Sequence, residues 1–114
     1  MVAPHPRKAI AKLRLTLPPT ISCLLCVWND HSGVHPFPAG RRTPLCMAIS
    51  KDKGNTWSRS KIIEGDLDGW YCYTAITFVK DCVLLAYCAG DKQIGGLNRL
   101  KVVAISPSSV PVDP

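Results

Sequence analysis

The chain has no long hydrophobic run and carries few charged side chains for its length. Charged residues make up 19% of the 114 positions and hydrophobic residues 46%. This composition is too apolar for an intrinsically disordered protein. No apolar stretch approaches the roughly 18 residues that a transmembrane helix requires. The sequence therefore predicts a globular protein without a membrane span.

Acidic residues are absent from the first part of the chain. None precedes Asp30, whereas the segment 1–19 contains four Lys and Arg residues. This segment also lacks the apolar core and the small-residue cleavage site of a secretory signal peptide. We expect a poorly ordered basic leader at 1–19, with an organellar presequence as the alternative, and a short tail at 107–114.

The excess of positive charge does not indicate a nucleic-acid-binding protein. The formal net charge is +6, but four of the basic residues lie in the leader. Basic and aromatic residues do not alternate along the chain in the way that base stacking beside phosphate contacts requires. We therefore expect no nucleic-acid partner.

Of the six cysteines, only Cys23 and Cys26 have the C-x-x-C spacing of many zinc sites. They lie within an apolar run, and a strand directs residues three apart to opposite faces. A tetrahedral zinc site needs four convergent ligands. Cysteine is also readily buried as a small apolar residue. We expect the cysteines to fill the core, with disulfides or metal ligation as the alternatives, and we predict no metal site and no cofactor.

Short apolar runs separated by turn residues predict an all-β protein with antiparallel strands. The runs are Leu24–Trp28, Leu45–Ser50, Lys61–Glu64, Thr74–Val79, Val83–Tyr87 and Leu100–Ile105. Two sequence fragments also recur, since Leu24-Leu25 returns as Leu84-Leu85 and Ala48-Ile49-Ser50 returns as Ala104-Ile105-Ser106, at offsets of 60 and 56 residues. A repeat of this length is typical of propeller blades.

The most specific motif is S-x-D-x-G-x-T-W, formed by Ser50, Asp52, Gly54, Thr56 and Trp57. In a tight hairpin turn, the carboxylate can accept N–H bonds, the glycine can adopt a positive φ and the tryptophan can pack beneath the turn. The motif resembles the Asp box of the sialidase (neuraminidase) superfamily. In that family the box joins the third and fourth strands of a β-propeller blade, away from the active site.

Residues around the box extend this resemblance. Sialidases carry an arginine eight positions before the box serine, where it binds the substrate carboxylate, and Arg42 has this spacing. Their nucleophilic tyrosine begins a Y-[ST]-x-[LI] strand, which Tyr73 matches. The glutamate that takes the tyrosine proton in sialidases is replaced here by Cys88, after Tyr87. The resemblance thus implies a catalytic role for Tyr73 and substrate binding by Arg42, without the activating carboxylate. The neighbouring Arg41 and Tyr71 are the alternatives to these two residues.

Strand direction predicts that these residues share one end of the sheets. In antiparallel blades the end of the second strand lies beside the starts of the first and third strands. The set expected at this end, opposite the Asp box, is Asn29, Asp30, His31, Arg42, Tyr73 and Cys88. We interpret Asn29, Asp30 and His31 as substrate contacts, with an ordinary polar turn as the alternative.

The length of the chain restricts this interpretation. A sialidase propeller has six four-stranded blades, whereas the segment 20–106 can supply fewer than two. We expect a C-terminal fragment that is inactive by itself and that self-associates through exposed strand edges. The alternative is a non-catalytic Asp-box propeller piece with a structural or glycan-binding role. The expected partner is a sialoside or a related acidic sugar.

Overall fold

The computed structural model describes residues 8–15, 21–79, 82–106 and 109, with side chains from Cys23 onward. These residues form seven strands: β1 (Lys8–Leu15), β2 (Ile21–Asn29), β3 (Leu45–Ser50), β4 (Lys61–Glu64), β5 (Gly69–Val79), β6 (Cys82–Asp91) and β7 (Leu100–Ile105). One antiparallel sheet has the order β1-β2-β3-β4 and the other β5-β6-β7. The prediction of an all-β, antiparallel protein is confirmed, and no helix among the described residues could cross a membrane.

Strand β1 lies inside the segment that we expected to be a poorly ordered leader. It pairs with β2 along its whole length, from Lys8 opposite Trp28 to Leu15 opposite Ile21. This pairing satisfies backbone N–H and C=O groups whatever the charge of the side chains, so the basic composition did not reveal it. The rest of the expected leader, and the expected tail apart from Ser109, lie outside the described residues.

An apolar layer between the two sheets forms the main core. Alternate residues of β2, β3 and β6 face this layer, because successive side chains of a strand point to opposite faces. Its buried members are Cys23, Leu25, Val27, Leu45, Met47, Ile49, Tyr71, Val83, Leu85, Tyr87 and Ala89. Burial of each large aliphatic side chain contributes about 1.5–3 kcal/mol, so this layer is the principal source of stability.

Strand β3 is buried on both faces. All six of its residues are buried. On the face that points away from the second sheet, Ala48 packs with Cys26, Trp28 and Trp57 in a smaller core. This double burial explains why β3 is continuously apolar rather than alternating in sequence.

The S-x-D-x-G-x-T-W segment, called the Asp box below only for its resemblance to that motif, forms the turn between β3 and β4, as predicted. Asp52 accepts hydrogen bonds from the backbone N–H of Thr56 (2.8 Å) and from its hydroxyl (2.5 Å). The Ser50 hydroxyl donates to Asp52 (2.8 Å) and accepts from the N–H of Gly54 (2.8 Å), where φ is +96°. Trp57 is buried beneath the turn. Each fixed residue of the motif except Trp57 therefore acts through local hydrogen bonding or backbone conformation.

These bonds predict that the Asp52 carboxylate stabilises the fold in a pH-dependent way. Hydrogen bonds from the side chain and backbone of Thr56, and from Ser50, lower the pKa of Asp52 from 3.8 to about 2. A lowered pKa in the folded state contributes stability above the ordinary pKa, and this contribution is lost as the pH falls toward 2. We expect Asp52→Asn to lower the urea midpoint at pH 7, and the difference from wild type to shrink between about pH 4 and pH 2.

The matched control is Asp68→Asn. Asp68 is also an aspartate in a turn, but it is exposed and pairs with the exposed Lys92 at 2.9 Å. Exposed ion pairs contribute little, so its urea midpoint should stay close to that of wild type. Equal midpoints for Asp52→Asn and wild type at pH 7 would contradict the role assigned to the Asp52 carboxylate.

Candidate functional site

The irregular segment 31–44 connects β2 to β3 and is attached to the second sheet. The backbone N–H of Tyr71 donates to the carbonyl of Arg42 at 2.8 Å. The side-chain amide of Asn29 donates to the carbonyls of Pro44 (3.2 Å) and Tyr71 (3.1 Å). The end of β2, the approach to β3 and the first part of β5 therefore meet. Asn29 therefore holds these segments together, because its amide group donates to main-chain carbonyls of the other two.

The two adjacent arginines have different environments. The guanidinium of Arg41 donates to the carbonyls of Asp68 (2.9 Å) and Gly69 (3.4 Å). Its central carbon lies 5.4 Å from the centroid of the Trp70 ring, within the range of a cation–π contact. Arg41 is thus committed to holding the turn that precedes β5.

Arg42 is the arginine that remains available. Within the described part of the chain its guanidinium has no hydrogen-bond or ion-pair partner, and the residue is half-buried. Burial and the neighbouring Cys88 raise the pKa of the Cys72 thiol, while the positive charge of Arg42 acts in the opposite direction. The hydrogen bond from the N–H of Tyr71 to the carbonyl of Arg42 places this arginine beside β5, next to Cys72.

Tyr73 lies at a bulge in β5. The register passes from Cys72 opposite Cys88 to Ala75 opposite Ala86, so Tyr73 and Thr74 together oppose one residue of β6. Tyr73 has a φ of +55° and its side chain is 75% exposed. A positive φ in a bulky residue is a strained conformation, and such strain is frequently found at functional sites.

Cys88 occupies the position at which the resemblance places the activating carboxylate. In the sheet, Cys88 pairs in register with Cys72 and not with Tyr73. Among the described residues, no carboxylate forms a hydrogen bond with the hydroxyl of Tyr73. The structure thus exposes Tyr73 but places no carboxylate base on its hydroxyl among the residues that it describes.

A tyrosine–carboxylate pair that we did not predict lies elsewhere. The hydroxyl of Tyr87 donates to Glu64 Oε2 (2.5 Å), and Lys101 Nζ lies 2.6 Å from the same oxygen. These side chains border a cleft of about 260 Å³ between β4 and β7. Tyr87 is 1% exposed, and burial together with Glu64 raises its pKa far above the ordinary value. Tyr87 therefore stays protonated. Its hydrogen bond to Glu64 and the Lys101–Glu64 salt bridge join the two sheets.

Asp30 lies beneath the surface rather than on it. It is 1% exposed, and it accepts hydrogen bonds from the N–H of Ser32 (2.9 Å) and the hydroxyl of Ser60 (2.7 Å). Burial by itself would raise the pKa of Asp30, but these bonds and the nearby His35 lower it below the usual value. Because Asp30 stays ionised and can only accept, the Ser60 hydroxyl donates to it.

His35 and Cys46 complete a buried polar cluster around Asp30. His35 Nε2 lies 2.7 Å from the Ser60 hydroxyl oxygen, to which it donates because the hydroxyl proton is already given to Asp30. Burial and the charge of Asp30 raise the pKa of the Cys46 thiol to about 12. The sequence showed no sign of this cluster, because its members come from separate segments without a metal-binding spacing.

His31 has a structural contact at the same end of the first sheet. Its Nε2 lies 2.9 Å from the carbonyl of Thr43, and its ring stacks on Phe37 with centroids 4.7 Å apart. Thr43 in turn donates from its hydroxyl to the carbonyl of Asp66 (2.7 Å). Of the residues predicted for substrate contact or catalysis, Asn29, Asp30 and His31 bond within the protein. The side chains of Arg42 and Tyr73 have no polar partner among the residues that the structure describes.

The strain at Tyr73 yields a testable prediction. Glycine adopts positive φ without a steric cost, and the exposed Tyr73 side chain contributes little burial. We expect Tyr73→Gly to preserve or raise the free energy of unfolding, by up to about 1 kcal/mol, and Tyr73→Val to lower it by about 1–3 kcal/mol. Urea unfolding of the two variants measures both effects. A Tyr73→Gly protein less stable than Tyr73→Val would show that the tyrosine conformation is not strained.

No protein-family model, curated protein or solved structure matches this chain.

Proposed function

We propose that this chain is part of a sialidase-like β-propeller, and that the end carrying Arg42 and Tyr73 binds the carboxylate of a terminal acidic sugar. The isolated chain binds such a sugar without hydrolysing it. The observation that carries this proposal is the guanidinium of Arg42, which has no polar partner within the described residues. The backbone of Arg42 is bonded to Tyr71, two residues before the exposed Tyr73 at the β5 bulge.

The chemistry of the guanidinium supports a carboxylate ligand. A planar guanidinium can donate two parallel, charge-assisted hydrogen bonds to a carboxylate. Arg41 anchors the neighbouring turn through Asp68 and Trp70, so the backbone next to Arg42 is held in place. A donor on a fixed backbone loses less conformational entropy when it binds a ligand.

The arrangement of the sheets supports the propeller part of the proposal. In the first sheet the Asp box joins β3 to β4, the third and fourth strands in order. The second sheet packs on the first through the shared core, as successive blades do. On its outer face Leu100 and Val102 are 71% and 58% exposed, which suits coverage by a further blade. The same exposed surface is the basis for the expected self-association of the isolated chain.

The catalytic groups support recognition rather than hydrolysis by this chain. Retaining hydrolysis of a sialoside by a tyrosine needs a base for the nucleophile and a separate acid, each of which contributes orders of magnitude in rate. Tyr73 has no carboxylate partner among the described residues, and Tyr87, which has one, is inaccessible. A non-catalytic glycan-binding role therefore fits these residues better than turnover.

Ligand-detected NMR titration with N-acetylneuraminic acid tests the binding proposal. Arg42→Lys keeps the charge but loses the two-pronged geometry, so we expect affinity to fall by roughly tenfold. The methyl ester of the same sugar lacks the carboxylate charge and should bind the wild-type protein with a similar loss.

The control for this titration is Arg59→Lys, which makes the same change at an exposed arginine just after the Asp box. Its affinity should equal that of wild type. Equal affinities of the wild-type protein for the acid and for the ester, or an Arg42→Lys protein that binds like wild type, would contradict carboxylate recognition by Arg42.

The absence of hydrolysis is tested separately with a fluorogenic sialoside. We expect purified chain to release no fluorophore above the buffer background at any pH between about 4 and 8, because no carboxylate in the described part of the chain bonds to the hydroxyl of Tyr73. Tyr73→Phe is assayed in parallel. Turnover by the wild-type chain that disappears in Tyr73→Phe would refute the proposal of a non-hydrolytic chain.

A further inference from the structure

Three side chains of different donor type converge beneath the end of β2. A carboxylate oxygen of Asp30, a ring nitrogen of His35 and the sulfur of Cys46 all lie within 4.8 Å of one another. Asp30 is 1% and Cys46 0% exposed, whereas His35 is only partly buried. The cluster is thus closed to bulk solvent on the strand side and reachable from the side of His35.

The separations suit a tetrahedral ion after a small closure. Bonds of about 2.0–2.3 Å to oxygen, nitrogen and sulfur place ligands about 3.4–3.7 Å apart around zinc. A pair of ligand atoms at the 4.8 Å limit would therefore have to approach by about 1.1–1.4 Å. Cys46 is the second residue of β3 and Asp30 directly follows β2, so both have strand-supported backbones. His35 belongs to the irregular segment 31–44, and its side chain is the one that can move.

The charge of the cluster also favours a cation. Asp30 is a buried carboxylate that accepts hydrogen bonds from neutral groups of Ser32 and Ser60 and lies near the His35 ring. A buried negative charge without a full positive partner is costly. A divalent cation bound by one carboxylate, one thiolate and one neutral imidazole would make the site neutral.

We propose that Asp30, His35 and Cys46 form a zinc-binding site, with the fourth position taken by the Ser60 hydroxyl or by water. Sulfur and imidazole donors favour Zn²⁺ over Ca²⁺ and Mg²⁺, which prefer oxygen ligands. The ion replaces the hydrogen bonds that Ser60 makes to Asp30 and His35. It links the end of β2, the segment 31–44 and β3, and so stiffens the segment that leads to Arg42. This site does not depend on the proposed sugar binding.

Metal titration of the full chain tests the site. Reduced, metal-free protein is titrated with zinc chloride against a chromophoric chelator, and separately with cobalt chloride, whose spectrum reports coordination. The expected results are one Zn²⁺ per chain, a higher melting temperature with zinc, and a cobalt spectrum with the visible bands of a tetrahedral ion and a near-ultraviolet thiolate charge-transfer band. Failure to bind one equivalent, or a cobalt complex without the thiolate band, would overturn the proposal.

Matched substitutions locate the ion. Loss of a residue that only supports a metal ligand typically weakens metal binding by roughly 10- to 100-fold. Cys46→Ala and His35→Gln each remove a ligand, so each should weaken zinc binding by more than this. The controls are Cys26→Ala, which removes a buried thiol from the same face of the sheet, and His31→Gln, which changes a second imidazole in the same segment. Both controls should bind zinc like the wild-type protein.

Two outcomes of this series would reject the site. One is wild-type affinity in both Cys46→Ala and His35→Gln. The other is loss of binding in Cys26→Ala with retention in Cys46→Ala, which would move the ion to the C-x-x-C thiols. If Cys46→Ala does not fold, as judged by circular dichroism, His35→Gln carries the comparison, because the partly exposed imidazole is not part of either apolar core.

Discussion

The burial of β3 on both faces is the constraint on which the rest of the structure depends. One face of Leu45–Ser50 packs against the second sheet, and the other lies beneath Trp57 and beside β2. Because its side chains are immobilised on both faces, β3 defines two fixed ends. The Asp box closes one end by local hydrogen bonds. The segment carrying Arg42 enters at the other end, so the proposed binding surface and the box are separated by the length of a rigid strand.

The two sheets are joined at the Arg42 end by polar contacts as well as by the apolar core. Asn29 and the carbonyl of Arg42 both bond to the backbone of Tyr71. Two residues later the bulge at Tyr73 changes which residues face the core, so that Tyr71 before it and Ile76 after it both pack inward. The extra residue is accommodated by a positive φ at Tyr73. The exposure of Tyr73 is therefore a consequence of the same junction that positions Arg42.

The two tyrosines near this junction show how placement controls chemistry. Tyr73 is accessible but has no carboxylate partner among the described residues, whereas Tyr87 has Glu64 as a partner but is enclosed between the sheets. A nucleophile needs both access and a base. This division between the two residues, together with the available guanidinium of Arg42, supports ligand recognition more strongly than catalysis.

The sequence by itself determined the features that depend on close neighbours along the chain. The Asp box turn and the apolar runs of β3 and β6 follow from residues within one turn or one strand, and they were predicted correctly. Only the tertiary structure decided how Arg41 and Arg42 differ, that Asp30, His35 and Cys46 converge, and that Lys8–Leu15 forms a strand. The contacts of Arg41 and the cluster around Asp30 join segments that are separated in sequence. Strand Lys8–Leu15 pairs with the next strand through backbone hydrogen bonds, which its basic side chains do not reveal. Such contacts are set by strand pairing and by the packing of one sheet on the other, which no local pattern encodes.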